Sequence, residues 1–213
     1  MFSLVVAADR NLGIGREGKL PWPRLKGDMA FFRELTTCPD PVAVHARYRL
    51  DVGHRDKRRF TWEGLTSRLG GDPALPEPGP EALNAVLMGR KTWESLPAAY
   101  RPLPGRRNGI LSRSLTPGPH PQADGVWADL DAALDDLGRD PAVKQVFVAG
   151  GGEIFTQALG HKDCARIYIT AIDAEFPCDT RFPEVGAAFR EVACSPWLEE
   201  SGIPYRFRLL ERG

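Results

Sequence analysis

The sequence lacks most of the signals that assign a chain to a class by themselves. Its four cysteines, Cys38, Cys164, Cys178 and Cys194, are widely spaced and form no Cys-x-x-Cys pair, so neither thiolate metal spacing nor a disulfide framework is indicated. Reduced thiols are the expectation. Charge of one sign is not in excess: 28 Lys and Arg balance 28 Asp and Glu, which provides no global attraction to nucleic acid or to an anionic membrane. Histidine is scarce, and His45, His54, His120 and His161 fall in polar or loop contexts that read as surface positions without a metal motif. No apolar run approaches the ~20 residues that cross a bilayer. The N-terminal stretch Phe2 to Ala8 has no basic leader and meets Asp9 and Arg10, so it reads as a buried first strand rather than a signal peptide. A cytoplasmic protein with no metal, no nucleic-acid partner and no membrane partner is expected. Internal repeats are absent.

What is present is an ordinary globular balance, 42% hydrophobic and 26% charged residues in 213, enough for one domain that buries a core and a small-molecule cleft. Apolar runs recur at Phe2 to Ala8, Ala85 to Met88, Gly109 to Leu111, Gln145 to Ala149, Ala165 to Ile172 and Tyr205 to Leu210. The early ones are continuous rather than alternating, as for parallel strands covered on both faces. Between them, Leu25 to Thr36 has helical spacing, Leu130 to Leu137 follows the N-cap candidate Asp129, and Glu153 to Leu159 follows a glycine run. Strands alternating with helices predict an α/β fold. One segment, about residues 39–82, breaks this rhythm with turn-forming flanks and a basic, aromatic middle, and reads as an insertion into the single domain 1–213.

Four clusters carry chemistry, each where a strand hands over to a helix or loop, the edge at which open α/β sheets bind ligands. The first runs from Gly13-Ile14-Gly15 to Leu20-Pro21-Trp22-Pro23 and Asp28, with Phe31 and Phe32 beyond. An acid set among such apolar surface needs a ligand with paired N–H donors, unless it merely favours the helix N-terminus. The second, Gly89-Arg90-Lys91-Thr92, offers backbone N–H groups and two cations to a pyrophosphate, but it lacks the preceding glycine of a nucleoside-triphosphate P-loop. The third, Ser112-Arg113, suits a phosphomonoester. The fourth, Gly150-Gly151-Gly152-Glu153-Ile154, lets backbone approach a ligand closely without following the Gly-x-Gly-x-x-Gly pattern.

Taken in order, and continued through Arg101-Pro102-Leu103-Pro104-Gly105-Arg106, Tyr168-Ile169-Thr170 and Asp179-Thr180-Arg181-Phe182-Pro183, these motifs resemble the dihydrofolate reductase family over nearly the whole chain outside 39–82. The resemblance implies an eight-stranded, mostly parallel sheet with a C-terminal antiparallel strand and flanking helices. It implies NADPH as cofactor, dihydrofolate and antifolate inhibitors as ligands, and a monomer. Asp28 would hold the 2-amino group and N3 of the pterin, with Thr170 as its hydroxyl partner and Trp22 orienting a water. Val5, Leu20, Phe31, Phe32 and Leu103 would line the substrate groove, and Arg106 would pair with the α-carboxylate of the glutamate tail. Ala7 and Ile14 would hold the nicotinamide carboxamide, Gly89 to Thr92 the phosphates, and Ser112 and Arg113 the 2′-phosphate. Gly150 to Ile154 would complete the cofactor site, with a cis peptide between Gly150 and Gly151.

Departures from the family pattern also stand out. The Trp22 to Asp28 spacing is the longer, eukaryotic-like one, yet the acid is aspartate, as in many bacterial members. Gly109 occupies a strand position usually apolar, which predicts a bulge or a close approach. The insertion is expected at the end of the sheet away from the cleft, as a passive segment; a partner surface built on Arg47, Arg55, Arg58, Phe60 and Trp62 is the sharper alternative. Two rivals share part of the pattern. A pyrimidine reductase of riboflavin synthesis needs neither the Trp22 to Asp28 arrangement nor Arg106, and a non-catalytic folate- or nucleotide-binding module would show no turnover.

Overall fold

Alternation of side chains along the strands divides the core in two. The computed structural model describes residues 1–50, 59–61 and 82–213. In it β1 (Phe2–Ala8) sends Val5 to one face and Leu4 and Val6 to the other. The same split recurs in β4 (Leu83–Gly89), β8 (Val143–Val148) and β9 (Cys164–Ile172). Val86, Phe147 and Tyr168 join the first core, and Leu87, Val148, Ile167 and Ile169 the second. Burial on both faces explains the continuous apolar runs. Helices α1 (Lys26–Thr37), α2 (Pro41–Arg47) and α3 (Arg90–Ser95) cover the first face through Phe31, Leu35, Val44 and Trp93. Helices α4 (Leu130–Arg139) and α5 (Gly152–Gly160) cover the second through Ala133, Leu137, Phe155 and Ala158. The expected Asp129 cap is present, its carboxylate accepting from Ala132 N at 2.8 Å.

The remaining strands are β2 (Gly13–Gly15), β3 (Arg59–Thr61), β5 (Arg107–Leu111), β6 (Gly118–His120) and β7 (Ala123–Trp127), then β10 (Thr180–Arg181), β11 (Phe189–Cys194), β12 (Trp197–Glu200) and β13 (Ile203–Arg212). Among the described residues the main sheet has eleven strands in the order β3-β12-β13-β9-β1-β8-β4-β5-β7-β6, with β11 also on β13. Because β11 and β12 occupy successive stretches of one edge of β13, the expected eight positions are recovered once the short outer strands β3 and β6 are set aside. The block from β9 to β7 is parallel, and β13 runs antiparallel to β9. Strands β2 and β10 form a separate antiparallel pair. The chain leaves β1 for β4, β5 and β7 on one side and later places β9 on the other. The carboxyl end of β1 is therefore a switch point, the place at which open α/β sheets bind ligands.

Several expectations need correction. The segment at 39–82 does not begin as a loop: Asp40 caps α2 by accepting from Val42 N, Pro41 opens the helix, and Val44, Tyr48 and Leu50 are buried. Its β3 pairs in parallel with β12, with Thr61 opposite Glu199, on the edge of β12 away from β13. Of the proposed partner surface, Arg47 is paired with Glu34 at 3.1 Å, and Arg55, Arg58 and Trp62 lie outside the described residues. His45 is not a bare surface residue either, since Nε2 lies 3.0 Å from the Tyr168 hydroxyl. Gly109 proves to be a close approach within regular pairing. A Cβ there would meet the Leu87 side chain and come 2.8 Å from the Trp127 ring, which also lies over the facing Gly125. Among the described residues no helix is long and apolar enough to cross a membrane, and all four cysteines are free thiols.

Candidate active site

The candidate site is built on the register of three strands. Ala7 on β1 lies opposite Thr170 on β9, and Phe207 on β13 flanks Thr170 from the other side. Asp28 enters from the first turn of α1 and is 4% exposed, as is fitting for a helix whose other face must meet the sheet. Burial pushes its carboxyl up to about 6, against the opposing pull of the Thr170 hydroxyl, while the charge of Glu200 raises it further. Among the described residues no cation pairs with it. Trp22, 5% exposed, meets Phe176 edge-on, and its buried indole Nε1 finds no acceptor among the described residues. A buried donor in that state calls for water or a ligand.

The loop before α1 is held by two carboxylates. Asp9 accepts from the backbone N–H of Asn11, Gly13 and Phe176 at 2.9, 2.7 and 2.9 Å, which closes the turn into β2. Gly13 has no room for a side chain because Cys178 fills that space. Asp179 accepts from Glu17 N at 2.6 Å and from the Thr180 hydroxyl, and these bonds hold its carboxyl below the usual range. Ile14, between them, is half-buried against the second core.

Further along α1 the side chains diverge. Phe32 is half-buried with the Arg106 guanidinium 5.6 Å from its ring. Arg106 itself is 7% exposed, donates to Thr36 Oγ1 at 2.6 Å and to Pro104 O at 3.1 Å, and has no carboxylate partner among the described residues. Burial, with Arg33 adding to it, pulls its guanidinium down to about 10, the condition of a cation awaiting an anion. Leu103 is fixed nearby by two bonds to the Asn108 amide. Phe31 does not share this groove. It stacks on Phe207 at 4.1 Å, meets Tyr48 edge-on and is 1% exposed, because one helical step turns it about 100° away from Phe32, onto the sheet. Leu20 is 47% exposed, outside the packed wall expected of it, and Val5 is a core residue of β1.

At the ends of β4 and β8 the N-termini of α3 and α5 converge. Neither cap residue, Gly89 or Gly151, supplies a side-chain bond, so their first N–H groups are left without side-chain acceptors. Gly89 N donates to Gly150 O at 2.7 Å, and the Gly150-Gly151 peptide is cis, as the resemblance implies. A Cβ on Gly89 would stand 3.1 Å from Ile154, and one on Gly151 would stand 3.1 Å from Thr92 Oγ1. The lining is therefore backbone, and it fits the phosphates of a dinucleotide. The flanking cations are differently engaged. Arg90 is paired with Glu94, Lys91 is exposed, and Arg113 reaches Glu153 at 2.7 Å. Ser112 is buried, its oxygen accepting from the Ser114 and Leu115 N–H groups.

Sequence reasoning missed Glu200. Its two carboxylate oxygens accept from Lys26 N and Gly27 N at 2.8 Å each, and the Tyr205 hydroxyl donates to one of them. No local signal marks it, since the contact spans 173 residues of chain.

A family model described as dihydrofolate reductase matches residues 1–43 and 82–212, leaving 44–81 unmatched. A dihydrofolate reductase of Drosophila melanogaster is 31% identical over 216 residues, covering 99% of this chain and 97% of that protein. One from Aedes albopictus is 32% identical over 219 residues, with the same coverage. The bifunctional dihydrofolate reductase-thymidylate synthase 2 of Arabidopsis thaliana is 36% identical over 211 residues, 97% of this chain, which spans only 30% of that longer protein.

Proposed function

The chain belongs to the dihydrofolate reductase family, and we propose that it reduces 7,8-dihydrofolate to 5,6,7,8-tetrahydrofolate with NADPH, by hydride transfer to pterin C6. The observation that carries the reading is Asp28, a buried carboxylate with no cation beside it among the described residues and the Thr170 hydroxyl as its companion. Such a group is satisfied by a flat heterocycle presenting two parallel N–H donors, as the 2-amino group and N3 of a pterin do.

Bound NADPH supplies the hydride. Gly89, Arg90, Lys91 and Thr92, with Gly150 to Ile154, would hold its phosphates on backbone N–H groups and flanking charge. Ser112 and Arg113 would take the 2′-phosphate, for which Arg113 would exchange Glu153 as partner. Ala7 and Ile14 would fix the nicotinamide amide through their backbone. On the substrate side, Asp28 anchors the ring, and its negative charge favours the protonated state of N5. The orphaned Nε1 of Trp22 holds the water through which a proton reaches N5. Phe32 and Leu103 wall the benzoyl group, and Arg106 receives the tail carboxylate. The chain's main contribution is to fix two rings in contact and keep bulk water out. Tetrahydrofolate supply for one-carbon and thymidylate metabolism follows, with a cytoplasmic location, a monomeric state and inhibition by antifolates as further parts of the reading.

The test is direct. NADPH absorbance should fall on addition of dihydrofolate and not without it, with methotrexate inhibiting. A folded wild-type chain that consumes no NADPH with dihydrofolate overturns the proposal.

A further inference from the structure

Helix α1 begins without a cap of its own. The residue at the N-cap position is Leu25, whose side chain is 1% exposed in the core and makes no capping bond. Two of the orphan N–H groups of the first turn, those of Lys26 and Gly27, go instead to Oε2 and Oε1 of Glu200 on β12. The next residue along the helix is Asp28. A Ser, Thr or Asn at position 25 would cap the turn without charge. A carboxylate does so here, and it places a second negative charge behind a buried acid, where like charges repel.

We propose that Glu200 is a positioning residue for the reaction, which clamps the first turn of α1 so that Asp28 meets the substrate ring and adds a negative charge behind it. This rests on the dihydrofolate reduction proposed above. The clamp is itself anchored. Strand β12 lies between β13 and β3, and the Tyr205 hydroxyl, on a fully buried ring of β13, donates to Glu200. Among the described residues, the groups that act on Asp28 are the Thr170 hydroxyl on β9, the Glu200 carboxylate on β12 and the Tyr205 hydroxyl on β13. Behind Tyr205 stands Tyr48, beyond α2, whose hydroxyl donates to Glu34 at 2.8 Å with Arg47 beside it. The Lys26 side chain is exposed. Because both Asp28 and a protonated N5 sense the Glu200 charge with the same sign, losing that charge makes each release its proton at lower pH. The Tyr205 hydroxyl partly offsets the same charge, so losing it acts in the opposite direction.

The experiment follows the Asp28 carboxyl by 13C NMR titration in the ligand-free protein and the pH profile of single-turnover dihydrofolate reduction, in wild type, Glu200→Gln, Tyr205→Phe and Glu199→Gln. Glu200→Gln should move the Asp28 midpoint and the alkaline fall in rate down by on the order of one pH unit. Tyr205→Phe should move both up, and Glu199→Gln, one residue away on the alternate face of the strand, should leave both in place. A Glu200→Gln titration that superimposes on wild type, or shifts of one sign in both Glu200→Gln and Tyr205→Phe, overturns the assignment. If Glu200→Gln does not fold, Tyr205→Phe decides alone: an upward shift supports the clamp, and none overturns it. A wild-type chain without turnover but with the expected NMR shifts sinks only the reaction, whereas turnover with unshifted variants sinks only Glu200.

Discussion

Asp28→Asn is expected to stabilise the ligand-free chain at alkaline pH while it slows turnover. The carboxyl is 4% exposed, and burial raises it from 3.8 to about 6. In the unfolded chain it returns to the ordinary value, so the unfolded state gives up this proton at lower pH than the folded state does. The associated stability is fully present below the unfolded value and is lost as pH rises through about 6. Above that, ionised Asp28 weighs against folding by roughly 3 kcal/mol, at about 1.4 kcal/mol for each pH unit. Asparagine keeps the shape and a hydrogen-bonding group for Thr170 but removes the charge. At pH 8 the variant should exceed wild type by roughly 1–3 kcal/mol, and most of that gain should be gone at pH 4. Urea unfolding followed by tryptophan fluorescence measures it, without folate or NADPH, since either ligand would stabilise the folded state by mass action. Under saturating substrate at pH 7 the same variant should turn over at least about a hundredfold more slowly, with NADPH affinity little changed. Stability gained where activity is lost marks a group retained for function. A variant less stable than wild type at pH 8, a stability offset independent of pH, or near-normal turnover would refute the reasoning.

Three other perturbations probe separate parts of the molecule. Arg106→Lys removes the fork that reaches Thr36 and Pro104; the KM for dihydrofolate should rise roughly tenfold to a hundredfold, with little change for a pterin substrate lacking the glutamate tail. Equal losses on both substrates would contradict a tail-binding role. Arg113→Ala breaks a largely exposed ion pair with Glu153, so the urea midpoint should hold, while NADPH affinity should fall far more than NADH affinity. Gly109→Ala forces a methyl group against Leu87 and Trp127 and should destabilise by about 1–3 kcal/mol with an unchanged denaturant slope; a neutral result would mean that the Trp127 ring gives way freely.

The parts of this fold legible in the sequence are those whose signal is local and strong. β1 is bounded as expected from Phe2 to Ala8, because residues buried on both faces, all but Ala7, leave a continuous apolar run. α4 was marked by Asp129 before its first apolar residue. The short strands β2 and β6 left no such trace, being three residues each with glycine and partly open faces. α2 was hidden inside a stretch dominated by turn-forming residues, although Asp40-Pro41 is itself a helix-start signal. The order of motifs singles out Asp28, Thr170 and Arg106 because each sits in a short, distinctive context, and in the structure the Thr170 hydroxyl bonds to Asp28. Phe31 and Phe32 were not separable by motif, since only the rotation of α1 against the sheet decides which ring turns inward. Glu200 was invisible for a different reason: its role exists only when β12 and the start of α1 come together in three dimensions.

That meeting bears on how the site measures its substrate. α1 is tied at its start by Glu200 and near its end by Arg106 to Thr36, by Tyr48 to Glu34 and by Asn84 to the Cys38 carbonyl. Asp28 and Phe32 lie one turn apart between these ties, on the same side of the helix. The distance from the acid that would hold the pterin to the arginine that would hold the tail is therefore set by a helix of fixed rise, about 12 Å over the eight residues from Asp28 to Thr36. A loop could not keep that spacing, and a helix tied at one end could pivot. The segment that follows α2 enters beyond this stretch and leaves its length untouched. It rejoins the fold at β3, on the far edge of the strand that supplies the Glu200 tie. A long addition to the chain is thus accommodated where it lengthens no part of the α1 spacing, and its one described strand backs the anchor instead of the cleft.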